Sequence, residues 1–244
     1  MLQHPTSCFA CPLRPLPAFD PIAPEELAFI QEHKAAEITL RPGKAIVREG
    51  DPAERLYTLL SGWAFRFKTL PDGRRQILNV LMPGDLVGLQ AKLFQEASHG
   101  IESLTEVTLC AFARERTWEV FRRFPALAFD LTWLGAREER LVDEVLLSVG
   151  RRTAAERLSM LILHLWNRAG LLGMVRDGAL AFPLTQAHIA DTLGLSYVHT
   201  NRTLQELRRQ RLFDLSDGVL AALDEKGLRR LSRFEETEHR RPLF

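Results

Sequence analysis

Residues 185–213, TQAHIADTLGLSYVHTNRTLQELRRQRLF, divide into two short helices about a glycine. In the first, Ala187, Ile189, Ala190 and Leu193 gather on one side, and Gly194 breaks the pattern. Ser196 then suits an N-cap, because its hydroxyl can accept from a backbone N–H left over in the first turn. In the helix that follows, Thr200, Leu204 and Leu207 share a face that can pack on the preceding helix. Val198, Asn201, Arg202 and Gln205, spaced i, i+3, i+4, i+7, share the other. Two helices joined by such a turn match helix-turn-helix geometry, in which the second enters the DNA major groove. The polar face has the chemistry for that place: Arg can pair bidentately with guanine, Asn or Gln with adenine, and Val can meet a thymine methyl. Thr185 and Gln186 at the start of the first helix, and His199 beside Val198, complete the expected contact set. Arg208, Arg209 and Arg211 follow where phosphates would run beside the groove.

A polar stripe by itself is what any solvated helix face looks like. The ordered series is more specific. After the arginines comes LFDLSDGVLAAL (212–223), a hairpin about Asp217-Gly218 that would form a wing. Before the first helix comes the short strand ALAFPL (179–184), and before that the helix TAAERLSMLILHLWNRAG (153–170), with Thr153 as N-cap and Glu156 completing a capping box. The order points to double-stranded DNA as partner.

Further upstream, residues 114–149 are helical in period. Leu127, Leu131, Leu134, Leu141 and Val145 keep 3/4 spacing, and Val142, Leu146 and Val149 form a neighbouring stripe. So wide an apolar band suits a helix covered by its own domain and by a second chain. Leu127, Leu131, Leu134, Glu138, Leu141, Val142 and Val145 are the expected dimerisation set. One register places Glu138 on the seam and the adjacent one Glu139, where facing carboxylates would repel; the plain alternative is that each pairs with Arg137 or Arg140 at the rim.

From Thr39 to Ala113 the texture is β. Gly43, Gly50, Gly62, Gly73, Gly84 and Gly88 punctuate short runs of Val, Ile, Leu and aromatics, the spacing of a sandwich or barrel. In GWAFRFKTLPDGRRQILNVL (62–81), Trp63, Phe65 and Phe67 alternate with Ala64, Arg66 and Lys68 before a turn at Asp72-Gly73, where both central positions favour φ > 0. APEELAFIQEH (23–33) is a short helix with acids in its first turn. The first twenty residues, with four prolines and two cysteines, form an irregular arm.

These motifs together resemble the CRP/FNR family, the cyclic-AMP receptor and fumarate–nitrate reduction regulators. RPGKAIVREGDPAERLYTLLSGWAFRF (41–67), continued by DGRRQILNVLMPGDLVGL (72–89), is similar to that family's effector-binding β-roll, glycine by glycine. GRRTAAERL (150–158) resembles the start of its winged helix domain, and residues 185–213 its helix-turn-helix. The resemblance spans the chain from about residue 19. It implies an α+β fold divided into a cysteine-bearing N-terminal arm (1–18), a cyclic-nucleotide-binding-like β-roll (19–125), a dimerisation helix (126–149) and a C-terminal winged helix-turn-helix (150–244). It further implies a homodimer on palindromic promoter DNA, with RNA polymerase as partner, regulating transcription. Arg202 stands where the family's guanine-reading arginine stands. Val198 replaces a glutamate that many members use to accept from cytosine N4, so the half-site should differ there.

Cyclic-nucleotide binders of the family hold the phosphate with an Arg-Ser/Thr pair. Here PGDLVGLQAKLFQEASHGIESLTE (83–106) has Ser98-His99-Gly100 in that place and no Arg or Lys between Lys92 and Arg114. A buried phosphate without a cation is costly, so the expectation is against cyclic AMP. The cysteines suggest another input. Cys8-x-x-Cys11 lies on the arm, and Cys110 matches the internal cluster cysteine of the oxygen-sensing FNR branch, which implies an iron–sulfur cluster. The further N-terminal cysteine of that pattern is replaced by Leu16 and Pro17, leaving His4, Asp20 or an external group as fourth ligand. Redox chemistry at Cys8 and Cys11, or a zinc site, are alternatives. The plain possibilities are Cys110 as a small buried hydrophobe and the arm as a tail without a ligand.

Composition sets the outer bounds. The chain has 244 residues, 46% hydrophobic and 26% charged, with formal net charge +1, so any contact with a polyanion must come from a local patch. No apolar run reaches the ~20 residues of a membrane span, the N-terminus lacks the pattern of a secretory signal, and three cysteines make a poor disulfide framework. The expected location is the cytoplasm. The motifs G-x-S-x-G, H-E-x-x-H and G-x-x-x-x-G-K-[ST] are missing, so the expectation is a non-enzyme. The competing expectation is a β-roll module that binds a ligand and acts through protein partners rather than DNA.

Overall fold

The computed structural model describes residues 6–52, 55–89, 96–113, 117–221, 223–234 and 240–244. The chain forms two compact units, one of Met1–Lys68, Val80–Arg140 and Arg240–Phe244, the other of Thr69–Asn79 and Leu141–His239. The packing thus crosses the sequential division 1–18, 19–125, 126–149 and 150–244. The arm belongs to the β unit, the tip of one hairpin belongs with the second unit, and the segment 240–244 returns to the first.

In the first unit, helix α1 (Pro24–His33) leads into β1 (Lys34–Leu40). Strands β2 (Ala45–Val47), β3 (Arg55–Ser61), β4 (Ala64–Thr69), β5 (Arg75–Leu81), β6 (Leu86–Val87), β7 (Gly100–Ser103) and β8 (Val107–Ala113) follow. They make two four-stranded sheets, ordered β1-β8-β3-β6 and β2-β7-β4-β5. Between the sheets Leu59, Ala64, Leu81, Val87, Ile101, Val107 and Leu109 form the core. On the outer face of the first sheet Leu56, Cys110 and Phe112 pack with Phe29 and Ile30 of α1 and with the helices beyond β8. Those helices are α2 (Thr117–Arg123) and α3 (Pro125–Arg151).

In strand β4, Ala64, Phe65 and Arg66 are all buried. Two local expectations change here. At Asp72-Gly73 only Gly73 has positive φ. The Gly73 N–H donates to Leu70 O and the Leu70 N–H to Arg74 O, a type I turn closed by a left-handed glycine. The arm is not wholly irregular, since Cys8–Ala10 forms a 3-10 turn capped by Ser7. Cys8, Leu13, Ala18 and Phe19 are buried, so the arm is a packed part of the β unit.

In the second unit, α4 (Ala154–Leu171) starts at the Thr153–Glu156 capping box that the sequence signals. Then come β9 (Ala179–Ala181), α5 (Gln186–Leu193), α6 (Tyr197–Arg209), β10 (Asp214–Ser216), β11 (Val219–Ala221) and α7 (Glu225–Ser232). The three strands pair in the order β10-β11-β9. At the β10–β11 turn Asp217 and Gly218 both have positive φ, the mirror-image geometry that an Asp-Gly hairpin favours.

Candidate nucleic-acid interface and effector cavities

Helix α5 begins at Thr185, whose hydroxyl accepts from the His188 N–H at 3.2 Å, and ends at Gly194 in the left-handed conformation. Helix α6 begins at Ser196, whose hydroxyl accepts from the His199 N–H at 3.2 Å. Thr200, Thr203, Leu204 and Leu207 are buried, and the opposite face is open. Val198 is 67% exposed, His199, Arg202 and Gln205 are exposed, and Asn201 is half-buried. Arg202 makes no ion pair or hydrogen bond among the described residues. Arg208 is held by Asp214 at 2.9 Å and faces Ser216 of the wing, while Arg209 pairs with Glu206. Gln205, Arg208, Arg209 and Arg211 line one open groove with Phe213 and Asp214. Gln186 is half-buried, its Oε1 without a hydrogen-bond partner. The sequence did not signal the braces behind this surface. Arg157 donates to Leu193 O at 2.9 Å, satisfying the last turn of α5, and Arg75 holds Asp191 at 2.9 Å.

On α3 the expected dimerisation residues separate. Leu127, Leu131 and Leu134 are buried within the chain, at 1%, 3% and 5% exposure, because the first half of the helix closes the β unit. Glu138 faces Arg66 at 3.1 Å and Arg137 at 3.6 Å. Its charge is therefore engaged within its own chain, by Arg137 as the alternative reading of the sequence allowed and by Arg66, which the sequence did not signal. Leu141 and Val145 are half-buried and Glu139 is exposed. Exposed apolar surface lies at Phe129, Val142, Leu146, Leu147 and Val149.

Two cavities of the β unit bear on which ligands its described residues could hold. One, of about 120 Å³, is lined by Arg66, Asp85, Gly88, His99, Arg137 and Glu138, among others. Small-molecule pockets run from about 300 Å³ upward. Its cations are already committed, Arg66 to Glu138 and Arg137 to Glu138 and Asp85. Burial, then the nearby Arg66 and Lys68, hold His99 down at about 4, so it is neutral at physiological pH. Among the described residues the space is small and both arginines that line it are paired with acids.

The second cavity brings Cys8, Cys11 and Cys110 together with Lys34, Thr58 and Phe244. Its volume is about 20 Å³, room for about one water. Burial pushes up the Cys8 thiol and raises Cys110 to about 11, only partly offset by Lys34. Cluster ligands are thiolates. Among the described residues no group of three or more His, Cys, Asp or Glu is placed to hold a metal ion. Asp20 is exposed and does not line the cavity, and His4 lies outside the described residues. The three cysteines line one cavity, but its space and donor set do not fit an iron–sulfur cluster. No helix among the described residues is long and apolar enough to cross a membrane.

A family model described as the cyclic nucleotide-binding domain matches residues 37–124, and one for the Crp-like helix-turn-helix domain matches residues 156–231. The chain is 31% identical over 196 residues to the transcriptional activatory protein AadR of Rhodopseudomonas palustris, covering 80% of each chain. It is 28% identical over 217 residues to the transcriptional activator protein FnrL of Cereibacter sphaeroides, covering 88% of this chain and 84% of that one. The solved structure of FixK2 from Bradyrhizobium japonicum matches with TM-score 0.75 and 26% identity over 82% of this chain and 98% of that one.

Proposed function

We propose, from the premise that the chain belongs to the CRP/FNR family of DNA-binding transcriptional regulators, that it reads promoter DNA as a homodimer through α6 and answers to a signal other than a cyclic nucleotide. One observation carries the first part. Helix α6 buries one face and presents Val198, Arg202 and Gln205 on the other, with the Arg202 guanidinium uncommitted. The N-terminal part of a recognition helix is what meets base edges, and Val198 and Arg202 lie in its first two turns. In this reading Arg208 and Arg209 trade their carboxylate partners for phosphates, and Thr185, Gln186, Ser196, His199 and Asn201 lie along the same contact surface. The competing reading, a β-roll acting only through protein partners, leaves that face without a purpose. The second part is supported by the small cavity at His99, whose arginines are paired with acids.

Selection of bound duplexes from a random DNA pool by the full chain tests the proposal. The expected product is a two-fold symmetric site whose half-site centres lie about one helical turn, ~10 base pairs, apart. Enrichment should be unaffected by added cyclic AMP. A pool with no enriched sequence would overturn the DNA reading, and enrichment that requires cyclic AMP would overturn the second part.

A further inference from the structure

The segment Arg240–Phe244 is seated on the β unit by contacts of every kind. Arg241 is 5% exposed. Its guanidinium donates to the buried carboxylate of Asp85 and to Pro83 O at 2.9 Å, and lies 5.1 Å over the Phe19 ring. Its backbone bridges the arm, the Arg241 N–H donating to Ala18 O and the Asp20 N–H to Arg241 O, each at 3.0 Å. Phe244 O accepts from the Thr58 hydroxyl at 2.6 Å, and the Phe244 ring meets Phe112 edge-on at 6.3 Å. A Cβ at Gly84 would stand 2.2 Å from the Phe19 ring, so this glycine makes room for the stack. Leu243 and Phe244 then line the same cavity as Cys8, Cys11 and Cys110.

We propose that Arg240–Phe244 is a displaceable peptide cap over a thiol-modification site. Electrophiles of the thiol-directed class reach Cys8 and Cys110 only when the cap leaves, and a modified thiol holds it off. In a cavity of about 20 Å³ an added group and the Phe244 side chain compete for the same space. A modification compatible only with the open state shifts the equilibrium toward it. The chain reaches the cap from α7, so the cap is covalently continuous with the DNA-binding unit. The proposal rests on the seat and the cavity, and its test does not involve DNA.

Iodoacetamide serves as the probe: cysteine sulfur displaces iodide, a C–S bond replaces the C–I bond, and the thiol proton goes to solvent. Alkylation of the native full-length chain is followed at each cysteine by mass spectrometry. In Arg241→Ala, labelling at Cys8 and Cys110 is expected to rise about tenfold or more, the factor for losing a charge-assisted anchor, and in Phe244→Ala it is expected to rise about tenfold through loss of the packed ring. Cys11, half-exposed already, should change less than about twofold, since the opening is local. The peptide Arg-Arg-Pro-Leu-Phe, added to Arg241→Ala, should restore slow labelling, and the same peptide with Ser for Leu and Phe should not. Unchanged labelling in both variants would overturn the proposal. So would a rise that the peptide fails to reverse, because the segment would then be a structural strut rather than a removable cap.

Discussion

Arg202 and Arg209 lie two turns apart on α6 and differ in what each must give up to meet DNA. Arg202 has no partner to surrender among the described residues, whereas Arg209 must leave Glu206. If Arg202 reads guanine, Arg202→Ala should remove about 1–3 kcal/mol of discrimination per half-site. Arg209→Ala should weaken all sequences alike, as loss of a phosphate contact does. Fluorescence anisotropy on the selected site and on a scrambled duplex separates the two, and full discrimination retained by Arg202→Ala would remove α6 from base readout. His99 gives a prediction of stability. Burial, with Arg66 and Lys68 nearby, lowers its proton affinity in the fold to about 4, against about 6.5 in the unfolded chain. The unfolded state therefore binds more protons between those values. The stabilisation is full above about pH 6.5 and is lost as pH falls toward 4, amounting to about 3 kcal/mol. His99→Asn should flatten that part of the denaturation-against-pH curve, and an unchanged curve would mean that His99 titrates normally.

At the scale of elements, α3 shows why an apolar stripe is an ambiguous signal. Leu127, Leu131 and Leu134 are buried against the β unit, whereas Leu141 and Val145, which continue the same period, are only half-buried; periodicity alone cannot tell a neighbouring sheet from a neighbouring chain. The residue that decides is Glu138, whose partner Arg66 lies 72 positions upstream on β4, a pairing that no local pattern announces. Glu138→Leu, read from sequence as relief of a repulsive seam, should instead destabilise the β unit by about 3 kcal/mol, since it leaves a buried guanidinium without its counter-charge. Urea denaturation measures it, and Glu138→Gln should recover part of the loss. Association should answer to the exposed stripe: Leu146→Glu together with Leu147→Glu is expected to shift sedimentation toward a single chain, and an unaltered dimer would exclude this end of α3 from the seam. Hairpins teach a similar lesson. Asp217-Gly218 forms the mirror-image turn its dipeptide signals. Asp72-Gly73 does not, because Pro71 fixes φ near −65° at the preceding position and starts a type I turn there. Local chemistry was legible where it involved only neighbours, as at Thr153, Ser196 and Gly194. It was not legible where the partner was distant, as for Arg157 with Leu193 O or Arg241 with Asp85.

For the molecule as a whole, the charge balance sets how DNA would be found and held. The formal net charge is +1, so long-range attraction to a polyanion is weak and contact has to come from a local patch, which in the proposed reading is the arginines at and just beyond the end of α6. Arg208, Arg209 and Arg211 are all exposed, but two of them carry carboxylate partners, Asp214 and Glu206. Exposed ion pairs of this kind contribute little, about 0–1 kcal/mol each, so exchanging a carboxylate for a phosphate is nearly neutral in free energy. Binding should then be driven by counterion release from the DNA. With three such arginines in each of two protomers, about six phosphates would be neutralised, giving a slope of log affinity against log salt near −5. Arg211→Ala, acting in both protomers, should bring it to about −3.6, with the enriched sequence unchanged. A slope between 0 and −2 in the unaltered protein would place the phosphate contacts elsewhere. The groove formed by Gln205, Arg208, Arg209, Arg211, Phe213 and Asp214 would then have to serve another anion.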